Sequence, residues 1–109
     1  MATTTPSTTP VSDAGKTRVL ARFTAAGNVN TDQYDQVIDR MAASGNWPPD
    51  GLEYHVAFRS NGNLRVSEVW DSRAQLDASL ARLMPVLKDV GIELRSEPEL
   101  LDVHNVISR

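Results

Sequence analysis

The chain has 109 residues, 40% of them hydrophobic, which fits one domain built on a single core. Fourteen acidic side chains against eleven basic ones give a formal charge of −3, so the basic patch of an electrostatic nucleic-acid binder is not expected. There is no cysteine, which excludes disulfides and thiolate metal sites. No apolar run approaches bilayer length and no apolar stretch follows a basic start, so the expected setting is cytoplasmic, with no membrane partner.

Residues 1–16, MATTTPSTTPVSDAGK, are rich in Thr, Ser and Pro. Such a segment buries too little apolar surface to offset its ordering entropy, and it predicts a disordered tail ahead of a folded domain over 17–109. Residues 18–23, RVLARF, are partly alternating and predict the first strand. Asn30 predicts a helix N-cap, with Gln33 placed to reach back in a capping box. Tyr34, Val37, Ile38, Met41 and Ala42 then recur at helical spacing as one apolar stripe, and Gly45 stands where a C′ glycine ends a helix. In residues 46–51, NWPPDG, the paired prolines forbid a helix. Trp47 is expected to pack over a core edge or a pocket mouth.

Residues 52–70, LEYHVAFRSNGNLRVSEVW, predict a β-hairpin turning at Asn61-Gly62, the dipeptide that most readily supplies two positive φ angles. A two-residue turn sets Ser60 opposite Asn63, Ala57 opposite Val66, His55 opposite Glu68 and Glu53 opposite Trp70. One face then carries Glu53, His55, Ala57, Leu64, Val66, Glu68 and Trp70. The other carries Leu52, Tyr54, Val56, Phe58, Arg65, Ser67 and Val69.

Ser72 with Gln75 predicts a second capping box, cleaner than the first. The stripe Leu76, Leu80, Leu83, Met84 and Leu87 follows, with Pro85 inside it to kink or restart the helix and Gly91 to end it. A polar connector over 93–99 leads to a last strand over 100–107, LLDVHNVI. The order β-α-β-β-α-β predicts an α+β, ferredoxin-like antiparallel sheet with both helices on one face. The other, partly apolar face needs a cover. A second copy supplies it, so a homodimer pairing into a dimeric α+β barrel is expected.

The stretch 68–79, EVWDSRAQLDAS, resembles the dimeric α+β-barrel superfamily, and most its antibiotic-biosynthesis-monooxygenase branch. Proteins of that branch carry a Glu-x-Trp or Glu-x-Tyr strand end, a short acidic or serine turn, and a helix with an inward polar residue. The resemblance implies a pocket between sheet and helices, lined by the strand-end aromatic. Glu68 and Trp70 match those positions, which turns the His55/Glu68/Trp70 face toward the helices. Where haem-degrading relatives place an axial histidine on the second helix, this chain has Ser79. Axial haem ligation at that position is therefore not expected, haem held through some other ligand stays an alternative, and the expected site uses no cofactor.

His55 and Glu68 are the candidate proton-transfer pair, His55 as general base and Glu68 as the group that orients it. A merely structural cross-strand pair contributes about 0.2–1 kcal/mol. Trp70, Glu53, Ser79 and Trp47 are candidate substrate-binding residues, and an aromatic wall with few polar groups suits a small aromatic ligand. His104 alternates with Asp102 on the last strand, and no His spacing here matches a metal site. There is no phosphate-binding glycine loop, and Arg22, Arg59 and Arg65 are scattered over several strands. The expected activity is cofactor-independent and monooxygenase-like, on an aromatic, quinol or polyketide-like molecule. Two alternatives share the scaffold: an isomerase, cyclase or dehydratase, and a non-catalytic dimeric module that binds a small ligand or a partner.

Overall fold

Asn61 and Gly62 carry φ angles of 53° and 80°, and this pair of positive angles reverses the chain in two residues. The computed structural model describes residues 17–109; the predicted tail over 1–16 lies outside them. The elements are β1 (Val19–Thr24), α1 (Thr31–Ala43), β2 (Leu52–Ser60), β3 (Asn63–Trp70), α2 (Arg73–Val90) and β4 (Glu99–Asp102). The sheet order is β2-β3-β1-β4 with every neighbouring pair antiparallel, the α+β arrangement of a ferredoxin-like fold. From the turn, Ser60 meets Asn63, Ala57 meets Val66 and His55 meets Glu68, the register that a two-residue turn dictates.

The pairing departs from simple alternation at the open end of the hairpin. Leu52, not Glu53, is the partner of Trp70, because a bulge inserts Glu53 between Leu52 and Tyr54. Two contacts hold the bulge in place. The Asp71 N–H donates to the Gly51 carbonyl at 2.8 Å, and Arg18 Nε donates to both Glu53 oxygens at 3.1 and 2.9 Å.

Both helices begin as their caps dictate, with a difference in detail. Asn30 and Gln33 form the full reciprocal box, at 2.9 and 3.0 Å. At Ser72 the box is one-sided: its Oγ accepts from the Gln75 N–H at 3.3 Å, but the Gln75 side chain meets Ser72 Oγ instead of its backbone N–H. The expectation that Ser72 is the cleaner box is thus reversed. Gln75 is turned aside because its side chain packs over Gly51. Pro85 lies inside α2 without restarting it. Pro85 and Ala81 are both exposed, so the carbonyl left without its i→i−4 donor lies in a solvent-facing turn.

β4 is shorter than expected. It ends at Asp102, opposite Val19, where β1 begins; among the described residues the bond from Val103 N–H to the Arg18 carbonyl, at 3.1 Å, is the last one continuing the ladder. Nor is the connector over 93–99 purely polar: Leu94 bridges to Ala25 and packs on the core, next to the buried Ile92 that precedes it.

Val37, Met41 and Leu87 with Val29, Leu64 and Ile92 form one buried cluster. Leu76 and Trp70 with Val19, Ala21 and Phe23 form the other. Leu76 is fully buried and stabilises the fold by about 1.5–3 kcal/mol through apolar transfer alone. The helices cover the His55/Glu68/Trp70 face. On the opposite face Tyr54 is 56% and Phe58 36% exposed, and no helix of the described residues covers that side of the sheet.

Candidate functional site

α1 and α2 do not close fully on the sheet. Tyr34, Val37, Ile38 and Met41 of α1, with Leu76, Ser79, Leu80, Leu83 and Leu87 of α2, face His55, Leu64, Val66, Glu68 and Trp70 of the hairpin across a cavity of about 90 Å³. That is several times the ~10–15 Å³ that one water needs. The lining is almost wholly apolar and the cavity is partly open. Trp47 and Pro49, from the connector before β2, complete one wall. Among the described residues, no Lys or Arg lines it.

Strand periodicity places the polar groups. Glu68 and Trp70 are two apart on β3 and share a face, and the register sets His55 of β2 beside Glu68. Trp70 Nε1–H donates to Glu68 Oε1 at 3.0 Å. His55 Nδ1 lies 2.6 Å from Glu68 Oε2, and His55 Nε2 lies 2.6 Å from the Tyr34 hydroxyl. A carboxylate only accepts, so Nδ1 carries the proton of the first short bond. In the neutral ring, Nε2 then accepts the Tyr34 O–H. The result is an unbroken run of hydrogen bonds, Trp70 to Glu68 to His55 to Tyr34, from the core floor to helix α1.

Burial makes this run necessary. Glu68 is 8% exposed and Trp70 2% exposed. A carboxylate in such a place is costly unless donors meet it, and here two do. Tyr34 is half-buried, and its phenol is held above the ordinary value of 10.0, first by burial and then by the negative charges of Glu68 and Asp35. Each effect disfavours the phenolate, so the phenol keeps its proton and serves as a donor.

The cavity brings together five of the six residues expected from the sequence: His55, Glu68, Trp70, Ser79 and Trp47. Ser79 is buried on the cavity side of α2, and Trp47 stands partly exposed at the wall. Glu53 does not line the cavity. The bulge takes it out of register with Trp70, and it pairs with Arg18. His104 is exposed beyond β4 and does not line the cavity. Among the described residues, no three His, Asp or Glu side chains converge as a metal-binding group. No described helix is long and apolar enough to cross a membrane.

Tyr34 was hidden in the apolar stripe of α1. A signal for it exists: a tyrosine on an inward stripe needs a partner for its hydroxyl, and His55 on the facing strand has a second ring nitrogen that Glu68 does not use.

No protein-family model and no curated protein sequence matches the chain. Solved structures do match by fold. SnoaB of Streptomyces nogalater, a cofactor-independent oxygenase, is 19% identical over 86% of this chain and 98% of that one, with a TM-score of 0.55. Rv0793 of Mycobacterium tuberculosis is 19% identical over 86% and 98%, with a TM-score of 0.51. A candidate antibiotic biosynthesis monooxygenase of Caulobacter crescentus CB15 is 15% identical over 84% and 92%, also with a TM-score of 0.51. By fold, the chain is similar to the antibiotic-biosynthesis-monooxygenase-like proteins, with their ferredoxin-like sheet and paired helices.

Proposed function

We propose that the chain is a small enzyme that oxygenates a neutral, electron-rich aromatic such as a phenol, quinol or polyketide-like ring, without a cofactor. The observation that carries this reading is the hydrogen-bonded run Trp70–Glu68–His55–Tyr34 along an otherwise apolar cavity. A structural cross-strand pair needs neither a cavity beside it nor a third and fourth partner. With no Lys or Arg lining the cavity among the described residues, a neutral ligand suits it better than an anion.

His55 is the final proton acceptor. Glu68 fixes its tautomer and stabilises the imidazolium that forms, and Trp70 anchors Glu68 and walls the ring of the ligand. Ser79 and Trp47 contact the ligand. Loss of the phenolic proton raises electron density at an ortho or para carbon that bears hydrogen, and the ring anion itself reduces dioxygen. One oxygen atom stays on that carbon as a carbonyl. The other leaves as water, with the carbon-bound hydrogen and the returned proton. All four electrons come from the substrate. A dimer that pairs the bare sheet faces completes the proposal, and the cavity of each subunit lies on the far side of its sheet.

The test is aerobic incubation with 1,5-dihydroxynaphthalene, following the absorbance of the hydroxynaphthoquinone product. Under labelled dioxygen, one labelled atom is expected in the quinone and one in water. A rate no higher than the buffer blank would overturn the proposal.

A further inference from the structure

Both ring nitrogens of His55 are occupied. Nδ1 meets Glu68 and Nε2 meets the Tyr34 hydroxyl, each at 2.6 Å. A base whose lone pair already receives a hydrogen bond reaches a ligand only if that bond breaks, or if the occupying group relays the proton. Tyr34 is half-buried and lines the cavity itself, with its ring tilted 33° to the imidazole and the centroids 6.0 Å apart.

We infer that Tyr34 is a catalytic residue, the group that meets the ligand's hydroxyl and relays its proton to His55. This inference rests on the acid–base reading of the cavity. The relay is balanced in atoms and charge. The ligand O–H bond breaks and a new O–H bond forms on the Tyr34 oxygen. In the same movement the original Tyr34 O–H bond breaks and an Nε2–H bond forms on His55. The ligand becomes an anion and His55 an imidazolium. No electron changes hands. Afterwards Nε2–H donates to the Tyr34 oxygen, and the Tyr34 O–H donates to the ligand's new oxyanion, so the phenol ends as an oxyanion donor.

A concerted exchange fits the surroundings of Tyr34. Burial and the negative charges of Glu68 and Asp35 hold its phenol in the protonated form, which disfavours a stepwise route through a free tyrosinate. In the exchange Tyr34 never loses a proton without gaining one. Glu68 stabilises the product side, because it receives the Nδ1–H of the imidazolium through a charge-assisted bond.

Two measurements test the relay separately from the oxygenation reading. The first needs no turnover. Proton NMR of the wild-type chain is expected to show two downfield resonances, from the Glu68–His55 and Tyr34–His55 bonds, and Tyr34→Phe should remove only the second. A series of substituted phenols of rising acidity is then added anaerobically, and the Tyr34–His55 resonance should move in step with their acidity. If it does not respond, or if it vanishes because the phenol has displaced Tyr34, the relay is wrong.

The second is the dihydroxynaphthalene assay. Tyr34→Phe keeps the ring and the packing, and it is expected to lower kcat about a hundredfold while KM stays within about threefold. The wild-type proton inventory in mixed light and heavy water should curve, as two moving protons require. Tyr34→Phe at full kcat, with His55→Ala inactive, overturns the relay and leaves the oxygenation reading standing. Resonances that follow phenol acidity without any turnover support the relay and sink the oxygenation reading instead.

Discussion

His55 Nδ1 stands 2.6 Å from Glu68 Oε2 across the β2–β3 ladder, and the other oxygen of the same carboxylate receives Trp70 Nε1–H at 3.0 Å. Glu68 is therefore held from both sides in a buried site, and His55 is left with one defined lone pair. The arrangement satisfies a buried carboxylate, and the proposed chemistry draws on the same bonds. The two roles separate under mutation.

Glu68→Gln keeps the size of the side chain and removes its charge. An amide offers one acceptor oxygen and one N–H₂ group, so it cannot accept from both His55 and Trp70. Either one of the two donors is left facing another donor, or His55 shifts to its other tautomer and loses the lone pair at Nε2. A loss of about 1–3 kcal/mol in unfolding free energy is expected, measured by urea denaturation. Oxygenation should fall more steeply than stability, by about a hundredfold, because the imidazolium loses its counter-charge. Retention of both would show that Glu68 is only a surface-like polar pair.

Tyr34 gives a pH dependence whose sign is fixed. Its folded-state pKa is raised above the ordinary value, so between the unfolded and folded values the folded chain binds the extra proton. The stability tied to this group is fully present below about pH 10 and is lost as pH rises through the folded pKa. Urea midpoints from about pH 9 to pH 11 should therefore fall more for the wild type than for Tyr34→Phe. Absorbance titration in a Tyr54→Phe background, where Tyr34 is the sole tyrosine of the two in the chain, reads the same shift directly. Parallel urea curves would contradict the assignment.

Gly51 has φ of +87°, and a Cβ there would stand 2.3 Å from Gln75 Oε1 and 2.8 Å from Gln75 Cβ. The second of these atoms cannot swing away as a side-chain tip does. Gly51→Ala therefore combines left-handed backbone strain with displacement of the residue that partners Ser72 at the start of α2. A loss of at least about 1–2 kcal/mol is expected by denaturation. Gly62→Ala, with no heavy atom within 4 Å of its added Cβ, should show the backbone part alone.

The bare sheet face carries Tyr54 and Phe58, both exposed, with the Arg65 guanidinium 5.9 Å from the centre of the Phe58 ring. Arg65 Nε is buried and has no hydrogen-bond partner among the described residues. If this face pairs with a second copy, sedimentation should give a dimer for the wild type and a monomer for Phe58→Asp. A monomeric wild type at tens of micromolar would remove the dimer from the proposal.

How far the sequence reaches is best seen at the hairpin. Asn61-Gly62 fixes a two-residue turn, strand alternation does the rest, and the meeting of His55 with Glu68 is legible before any fold is known. Glu53 is not legible, because the contacts at its bulge include one to Arg18, which is 35 residues away in the chain. The length of β4 was equally hidden. Alternation continues through residues 103–107, but a strand persists only where a neighbour offers backbone groups, and β1 starts too late to do so. Tyr34 shows a third limit. Periodicity assigned it to the apolar stripe correctly, yet said nothing of its hydroxyl, whose partner comes from another element.

The central claim is that this cavity moves a proton through His55. The most direct measurement is the rate of dihydroxynaphthalene oxygenation by wild type and His55→Ala, with folding of the variant checked by its urea midpoint. A loss of about 10²–10⁴-fold in kcat is expected for removal of the base. A His55→Ala protein that folds and turns over within tenfold of wild type would contradict the claim.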